Sequence, residues 1–327
     1  MKKKMAMLLT VVLTGAFLLA GCGGKEEAST GSVASVQENE ENTQEEAVQE
    51  ETETATEQTA ENMSDKVILV VSFGTSYNES RDLTIGGIEN AITNAFPEYE
   101  VRRAFTSQII IDKLKERDGL EIDNVEEALD RAVADGVKTL VVQPTHLMDG
   151  FEYTDLANAL EDYKDKFDEV TLAEPLFSSD EDYEAVAQAI SAETASYDDG
   201  ETAICFMGHG TEAESNSDYA KLQEILTADG FENYFIGTVE ASPSVEDLLN
   251  TLNASGKYKK VVLKPLMVVA GDHANNDMAG DEEDSWKSQF EAAGYEVNCI
   301  IEGLGQDEAI QNIYVKHTQA AIDGLAK

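Results

Sequence analysis

The chain of 327 residues holds four histidines, and two of them stand in motifs suited to ligand chemistry. His209 lies in Met207-Gly208-His209-Gly210-Thr211, directly after an apolar run. Flanking glycines let a ligand approach the backbone closely and let the imidazole project from a strand end. His273 lies in Ala270-Gly271-Asp272-His273-Ala274, just past another such run, and Glu240 follows a third in Thr238-Val239-Glu240-Ala241-Ser242-Pro243. Two imidazoles and a carboxylate suit a first-row divalent ion without specifying which. An incomplete protein shell leaves coordination positions open, as exchange or catalysis requires. His146, ahead of Leu147-Met148-Asp149-Gly150, stands at the end of an earlier run; it reads either as a ligand or substrate contact from a second face, or as a packed histidine. His317, inside the helical stretch 313–322, reads as a surface residue. The run Asp281-Glu282-Glu283-Asp284 departs from the calcium-loop pattern and reads as a helix start favoured by the macrodipole.

The elements that must position these residues are written twice. Short β-branched runs at 66–73, 100–105, 138–143 and 169–173 alternate with longer amphipathic stretches, and the series restarts at 202–207, 233–239, 259–264 and 296–301. Such alternation predicts parallel sheets with helices on both faces. Ser72-Phe73-Gly74-Thr75 closes the first strand of one half as Gly208-His209-Gly210-Thr211 closes that of the other. Gln143-Pro144 matches Lys264-Pro265, and laid on those prolines Glu152 falls opposite His273. The fourth runs are followed by Glu174 and Glu302. Three matches in the same order predict a duplication: two similar α/β lobes, 65–198 and 199–327, facing each other across a cleft. Ligands bind at the carboxyl ends of strands in open parallel sheets. That edge makes His209, Glu240 and His273 candidate metal ligands and places Ser72, Phe73, Gly74, His146 and Glu152 as candidate substrate contacts.

Composition narrows the function. Lysine and arginine number 23 against 65 acidic residues, a formal charge of −42. Nucleic-acid binding needs a basic footprint to displace counterions, so that partner is excluded. No Gly-x-x-x-x-Gly-Lys-Ser/Thr motif points to ATP, Gly208-His209-Gly210 lacks the third glycine of an NAD fingerprint, and no Gly-x-Ser-x-Gly elbow occurs. Lys2, Lys3 and Lys4 precede an uncharged apolar run ending in Leu19-Ala20-Gly21-Cys22, which resembles a bacterial lipoprotein signal over residues 1–22. Cys22 would then carry lipid, and two or more acyl chains anchor stably where one does not. The expectation is an exported chain tethered to the extracytoplasmic face of the membrane. Residues 23–64 are rich in Glu, Thr, Ala and Gln with no aromatic residue, the composition of an extended, disordered tether. Cys205 and Cys299 fall in strand-like runs and read as core thiols, with a bridge left open by an exported location.

The runs Val70-Val71-Ser72-Phe73-Gly74-Thr75-Ser76, Arg103-Ala104-Phe105-Thr106-Ser107, Phe206-Met207-Gly208-His209-Gly210 and Val269-Ala270-Gly271-Asp272-His273-Ala274-Asn275-Asn276-Asp277-Met278-Ala279 resemble the anaerobic sirohydrochlorin cobaltochelatases. These are class II chelatases related to protoporphyrin ferrochelatase. The resemblance extends from Lys66 to the end of the chain and implies two Rossmann-like lobes with a tetrapyrrole cleft. It implies metal held by His209, Glu240 and His273, with Glu152 projecting into the cleft. It also implies insertion of a divalent metal, Co²⁺ before Ni²⁺ or Fe²⁺, into a tetrapyrrole of anaerobic cobalamin biosynthesis without ATP or NAD. His209 would act as both ligand and base, since an imidazole titrates near ambient pH. Sirohydrochlorin is a polycarboxylate, so cations such as Arg102 and Arg103 are expected to line its approach. An exported member could alternatively bind haem, another tetrapyrrole or metal for uptake with little chelation. The sequence leaves homo-oligomerisation open.

The lipid anchor is checked by detergent phase separation. The wild-type chain should enter the detergent phase and Cys22→Ala the aqueous phase; equal aqueous partitioning of both would remove the anchor.

Overall fold

Eight short runs, several of them rich in valine, isoleucine and leucine, pair as strands in the computed structural model, which describes residues 64–325. The signal-like segment, Cys22 and the acidic tract lie outside the described residues. The strands are β1 (Lys66–Ser72), β2 (Glu100–Phe105), β3 (Thr139–Pro144), β4 (Glu169–Leu172), β5 (Thr202–Gly208), β6 (Tyr234–Thr238), β7 (Lys260–Pro265) and β8 (Glu296–Cys299). All eight expected runs are present, with no end displaced by more than two residues. The helices are α1 (Asn78–Leu83), α2 (Ile85–Ala95), α3 (Gln108–Asp118), α4 (Val125–Ala134), α5 (Phe151–Glu161), α6 (Asp180–Thr194), α7 (Ser217–Ala228), α8 (Val245–Ser255), α9 (Trp286–Ala292) and α10 (Glu308–Leu325). Asn124, Ser179 and Ser244 open α4, α6 and α8 through reciprocal capping with Glu127, Asp182 and Asp247. The acidic run 281–284 precedes α9 rather than forming its first turn, because the Ser285 hydroxyl accepts from the Ser288 N–H and sets the start there.

The strands form two parallel sheets of identical order, β2-β1-β3-β4 and β6-β5-β7-β8. Register repeats as well: Val71 pairs with Pro144 as Met207 pairs with Pro265. One residue before each proline, a buried polar side chain reaches the same place. The Gln143 amide donates to the Glu174 carbonyl (3.3 Å) and the Lys264 ammonium to that of Glu302 (3.4 Å). The two sheets are thus one unit repeated, as the matched motifs predict.

Alternation along each strand divides the core. On β1, Ile68 and Val70 face inward to a cluster shared with Ile204 and Phe206 of β5, while Val67, Leu69 and Val71 pack outward under α4 and α5. On β5, Ala203, Cys205 and Met207 pack outward with Leu248 of α8, Trp286 and Phe290. Cys205 and Cys299 are free thiols. Each fully buried aliphatic side chain contributes roughly 1.5–3 kcal/mol against exposure.

The helices following the last strand of each half cross over. α6 packs on α7 of the second half, and α10 packs on α2, β3 and β4 of the first. The Tyr314 hydroxyl donates to the Thr145 carbonyl (2.9 Å) and the Thr318 hydroxyl to the Gln143 side chain (2.8 Å). The same face corrects His317, expected at the surface: its side chain is only 11% exposed, with Nε2 3.1 Å from Asp182 Oδ1 and Nδ1 3.3 Å from the Glu174 carbonyl. The helical period places His317 one position before the buried Thr318 and so at the margin of the packed stripe, where α6 meets it.

Burial pulls the Asp182 carboxyl up, but hydrogen bonds from Ser179 and Ser178 and the charge of His317 outweigh it, so its pKa lies below the ordinary range. A depressed carboxylate contributes stability above its unfolded value of about 3.9 and loses it as pH falls through the folded value. Asp182→Asn should therefore cost about 1–3 kcal/mol near neutral pH, and the deficit should shrink as pH drops below about 4. Thermal unfolding of both proteins across that range checks it.

Candidate metal centre

His209 is presented by the two glycines around it. A side chain at Gly208 would run into the ring of Tyr219, and Gly210 holds a φ of +87°, with a Cβ there 2.8 Å from the Ala241 nitrogen. The ladder between β5 and β6 continues past the strand ends: the Val239 N–H donates to the Gly208 carbonyl (3.0 Å) and the Glu240 N–H to that of His209 (2.8 Å). Glu240 is thereby carried alongside His209 by backbone pairing alone. Both residues are exposed.

His273 opens a π turn, Ala274–Met278, beyond β7. Such single wide turns recur at functional sites. The loop that carries it is fastened to the first lobe. The Ala270 N–H donates to Ser80 Oγ (2.9 Å), and the Tyr77 hydroxyl lies 3.5 Å from Asp272 Oδ1. The seam between the lobes therefore sets where His273 stands.

The rings of His209 and His273 meet edge to face, with centroids 4.8 Å apart. Nδ1 of His209 donates to the Gly210 carbonyl (2.7 Å), and Nδ1 of His273 donates to Asp277 Oδ2 (2.7 Å). Both tautomers are fixed the same way, leaving the Nε2 lone pair of each ring for a metal. Among the described residues, no three His, Cys, Asp or Glu side chains stand close enough to cage an ion. Two imidazoles are brought together; Glu240 stands on the neighbouring strand end and does not close a ligand set with them. Asp277 was missed in the sequence, although its spacing of four from His273 puts both on one face of a helical turn.

On the first lobe, Phe73 occupies the register position of His209 and is 49% exposed. Gly74 has a φ of +97°, positive like that of Gly210, and a Cβ there would strike the Phe105 ring. Ser72 is buried and its hydroxyl accepts from Thr145 Oγ1 (2.8 Å), so Phe73 alone of these three offers surface. A hollow of about 370 Å³ is lined by Phe73, Thr106, Gln108, Glu152, Asp155 and Leu156. A larger one, about 660 Å³ between α6 and α10, has none of the candidate residues in its wall. Arg102 and Arg103, expected to offer charge to a polycarboxylate, are both engaged in ion pairs. Arg102 is paired with Glu100 and Asp135, and Arg103 with Glu89, so their charges are already neutralised.

His146 lies beyond the end of β3 with its side chain 7% exposed, and its Nε2 is 3.9 Å from Glu152 Oε2. Neither ring nitrogen has a hydrogen-bond partner. Burial pushes its pKa down to about 4, so the ring is neutral near pH 7. Leaving a buried donor or acceptor unmade costs about 1–3 kcal/mol. Glu152 keeps 52% of its side-chain surface, yet crowding on its inner side makes burial the main influence on its carboxyl, raising the pKa; the His209 charge opposes this and Asp155 adds to it. Glu152, on the first lobe, thus feels His209 on the second.

Comparison with known proteins follows the same lines. The family described as cobalt chelatase (CbiK) matches residues 66–323. Sirohydrochlorin cobaltochelatase of Salmonella typhimurium is 39% identical over 258 residues, covering 79% of this chain and 97% of the relative. Sirohydrochlorin cobaltochelatase CbiKC of Nitratidesulfovibrio vulgaris is 32% identical over 265 residues, 80% of this chain and 93% of the relative. Among solved structures, SirB from Bacillus subtilis with Fe³⁺ aligns over 80% of this chain and 98% of its own, with a TM-score of 0.56 at 11% identity. The sirohydrochlorin chelatase SirB of Bacillus subtilis subspecies spizizenii in complex with cobalt covers 79% of this chain and 96% of its own, with a TM-score of 0.54 at 12% identity. Those structures share the two-lobed fold, and the two relatives align with this chain along nearly their whole length. From β1 into α10, this chain belongs to the cobalt chelatase (CbiK) family.

Proposed function

We propose that this chain inserts Co²⁺ into sirohydrochlorin, a metal chelatase step that uses no nucleotide. The observation that carries the reading is the facing pair His209 and His273, each with Nδ1 engaged and Nε2 left for the ion. Glu240, brought beside His209 by the extended ladder, is the third ligand once an ion draws its carboxylate in. An open set of this kind suits a metal that arrives and leaves as substrate, whereas a closed four-ligand shell would retain it.

Insertion exchanges two pyrrole protons for metal–nitrogen bonds. An imidazole that gives up the ion regains its Nε2 lone pair, and that lone pair is the acceptor for a proton leaving the ring. We assign this to His209, whose Nδ1–H bond to the Gly210 carbonyl strengthens as the ring gains charge. Asp277 does the same for His273 and fixes its orientation. Phe73 presents an apolar face to the macrocycle. The Leu19-Ala20-Gly21-Cys22 motif supports an exported setting, with the lipid of Cys22 holding the chain at the membrane.

His209→Ala, Glu240→Ala and His273→Ala should each lower Co²⁺ affinity while the melting temperature stays near wild type, since His209 and Glu240 are exposed and His273 carries little of the core. Asp277→Asn should lower affinity roughly ten- to hundredfold. In His209→Ala the insertion rate should fall further than affinity accounts for. Calorimetric Co²⁺ titration beside absorbance of sirohydrochlorin decides these points. Metal-dependent turnover of the spectrum supports the chelatase, whereas a stable stoichiometric complex would point to a capture protein. Unchanged affinity in all three alanine variants would remove the site.

A further inference from the structure

The first lobe carries its own metal-capable pair at the same sheet edge. Across the repeat, Phe73 has replaced the imidazole at the His209 position, and Glu152 stands where His273 would fall. His146 stands where the second lobe has Met267. A histidine has thus been placed on the first lobe's edge at a position where its counterpart is apolar. In a packed interior that exchange is unfavourable unless the ring finds partners. His146 finds none: both nitrogens are unpartnered, and the side chain is more than nine-tenths buried. Elsewhere the buried polar residues beside it are satisfied, Thr145 by Ser72 and Gln143 by two backbone carbonyls. Unpartnered hydroxyls also stand at Thr106, in the wall of the hollow beside Glu152, and at Ser215, near Gly150. But His146 is the imidazole among these orphans, with both nitrogens unmade, and a buried ring in that state calls for a ligand.

We propose that His146 and Glu152 form a second, weaker divalent-cation position on the first lobe, facing His209, from which an incoming metal ion is passed to the His209–His273 pair. Geometry supports it. At roughly 2.1 Å from an imidazole nitrogen and a carboxylate oxygen, an ion between atoms 3.9 Å apart subtends an angle of about 135°. Drawing Glu152 inward by about half an ångström gives a tetrahedral angle at the same bond lengths. Glu152 is half-exposed and lies in the first turn of α5, so its carboxylate has room to make that movement. Chemistry supports it too. A ring kept neutral by burial offers its lone pair without competition from protons. The carboxylate, crowded by Asp155 and by its own desolvation, is relieved by a cation. Two ligands give a weak site, as a transfer position requires, and Glu152 already faces His209 across the cleft.

The test uses the full chain with Co²⁺ as probe. His209→Ala/His273→Ala removes the main pair, and His146→Leu or Glu152→Gln is then added. Equilibrium dialysis and the Co²⁺ ligand-field spectrum should show one weak ion per chain in the double variant. Either added change should weaken it by roughly tenfold or more and erase any histidine-ligated, paramagnetically shifted imidazole signal. Equal binding by the double and both triple variants overturns the proposal. His146→Leu preserves apolar bulk; if it fails to fold, the Glu152→Gln arm decides the matter alone. Wild-type affinity in the double variant would tell against the His209–His273 pair, while the step from double to triple still judges His146 separately.

Discussion

A parallel sheet covered on both faces leaves a polar side chain one place to meet a ligand, beyond the carboxyl ends of its strands. Here the covering is nearly complete. Inner residues such as Val70 and Phe206 lie in one core common to both sheets, and outer residues such as Leu69 and Met207 lie under separate helix layers. The shared inner core fixes one sheet against the other. Everything chemical then follows at the two edges: Phe73, His146 and Glu152 on one, His209, Glu240 and His273 on the other. The loop bearing His273 is tied across the seam by Ser80, and the Thr145 carbonyl beside His146 is held by Tyr314 of α10, so each edge is braced in part from the other half.

Among the described residues, the facing imidazoles of His209 and His273 have no closed ligand set around them. Hydrogen bonds orient the two imidazoles from behind, and backbone pairing delivers a carboxylate nearby, but no third side chain among the described residues closes on them. Orientation without enclosure separates a site that processes a metal from one that stores it. The formal charge of −42 favours a cation over an anion, and Arg102 and Arg103 are each neutralised by their neighbours.

Much of this was legible in the sequence because its signals were local. β-Branched runs between amphipathic stretches marked all eight strands, and glycines flanking His209 marked a residue that must project. The proline match gave Glu152 and His273 equivalent places in the two halves, and the repeated strand register agrees with that alignment. What escaped was non-local. Helical periodicity identifies the apolar stripe of α10 but not the sheet it covers, so the burial of His317 against Asp182 could not be read from its own segment. Whether a cation such as Arg103 is spoken for depends on Glu89, which lies on α2 and reaches it only through the fold. Asp277 lay in plain view within a recognised motif, but motif matching names residues without saying which nitrogen each one holds.

The crossing of α10 onto the first sheet has a consequence for how the chain is made. β3 and β4 are complete by Leu172, yet the helix that buries Gln143 and donates to the Thr145 carbonyl begins only at Glu308. During vectorial synthesis the first lobe must wait, with an apolar sheet face uncovered, while the whole second lobe emerges. The covering of the first sheet therefore depends on the last described helix, which follows the whole second sheet in the chain. Cut out alone, the first lobe would lose the helix that covers its sheet and the second would lose α6 from its α7, so neither half is a self-contained module.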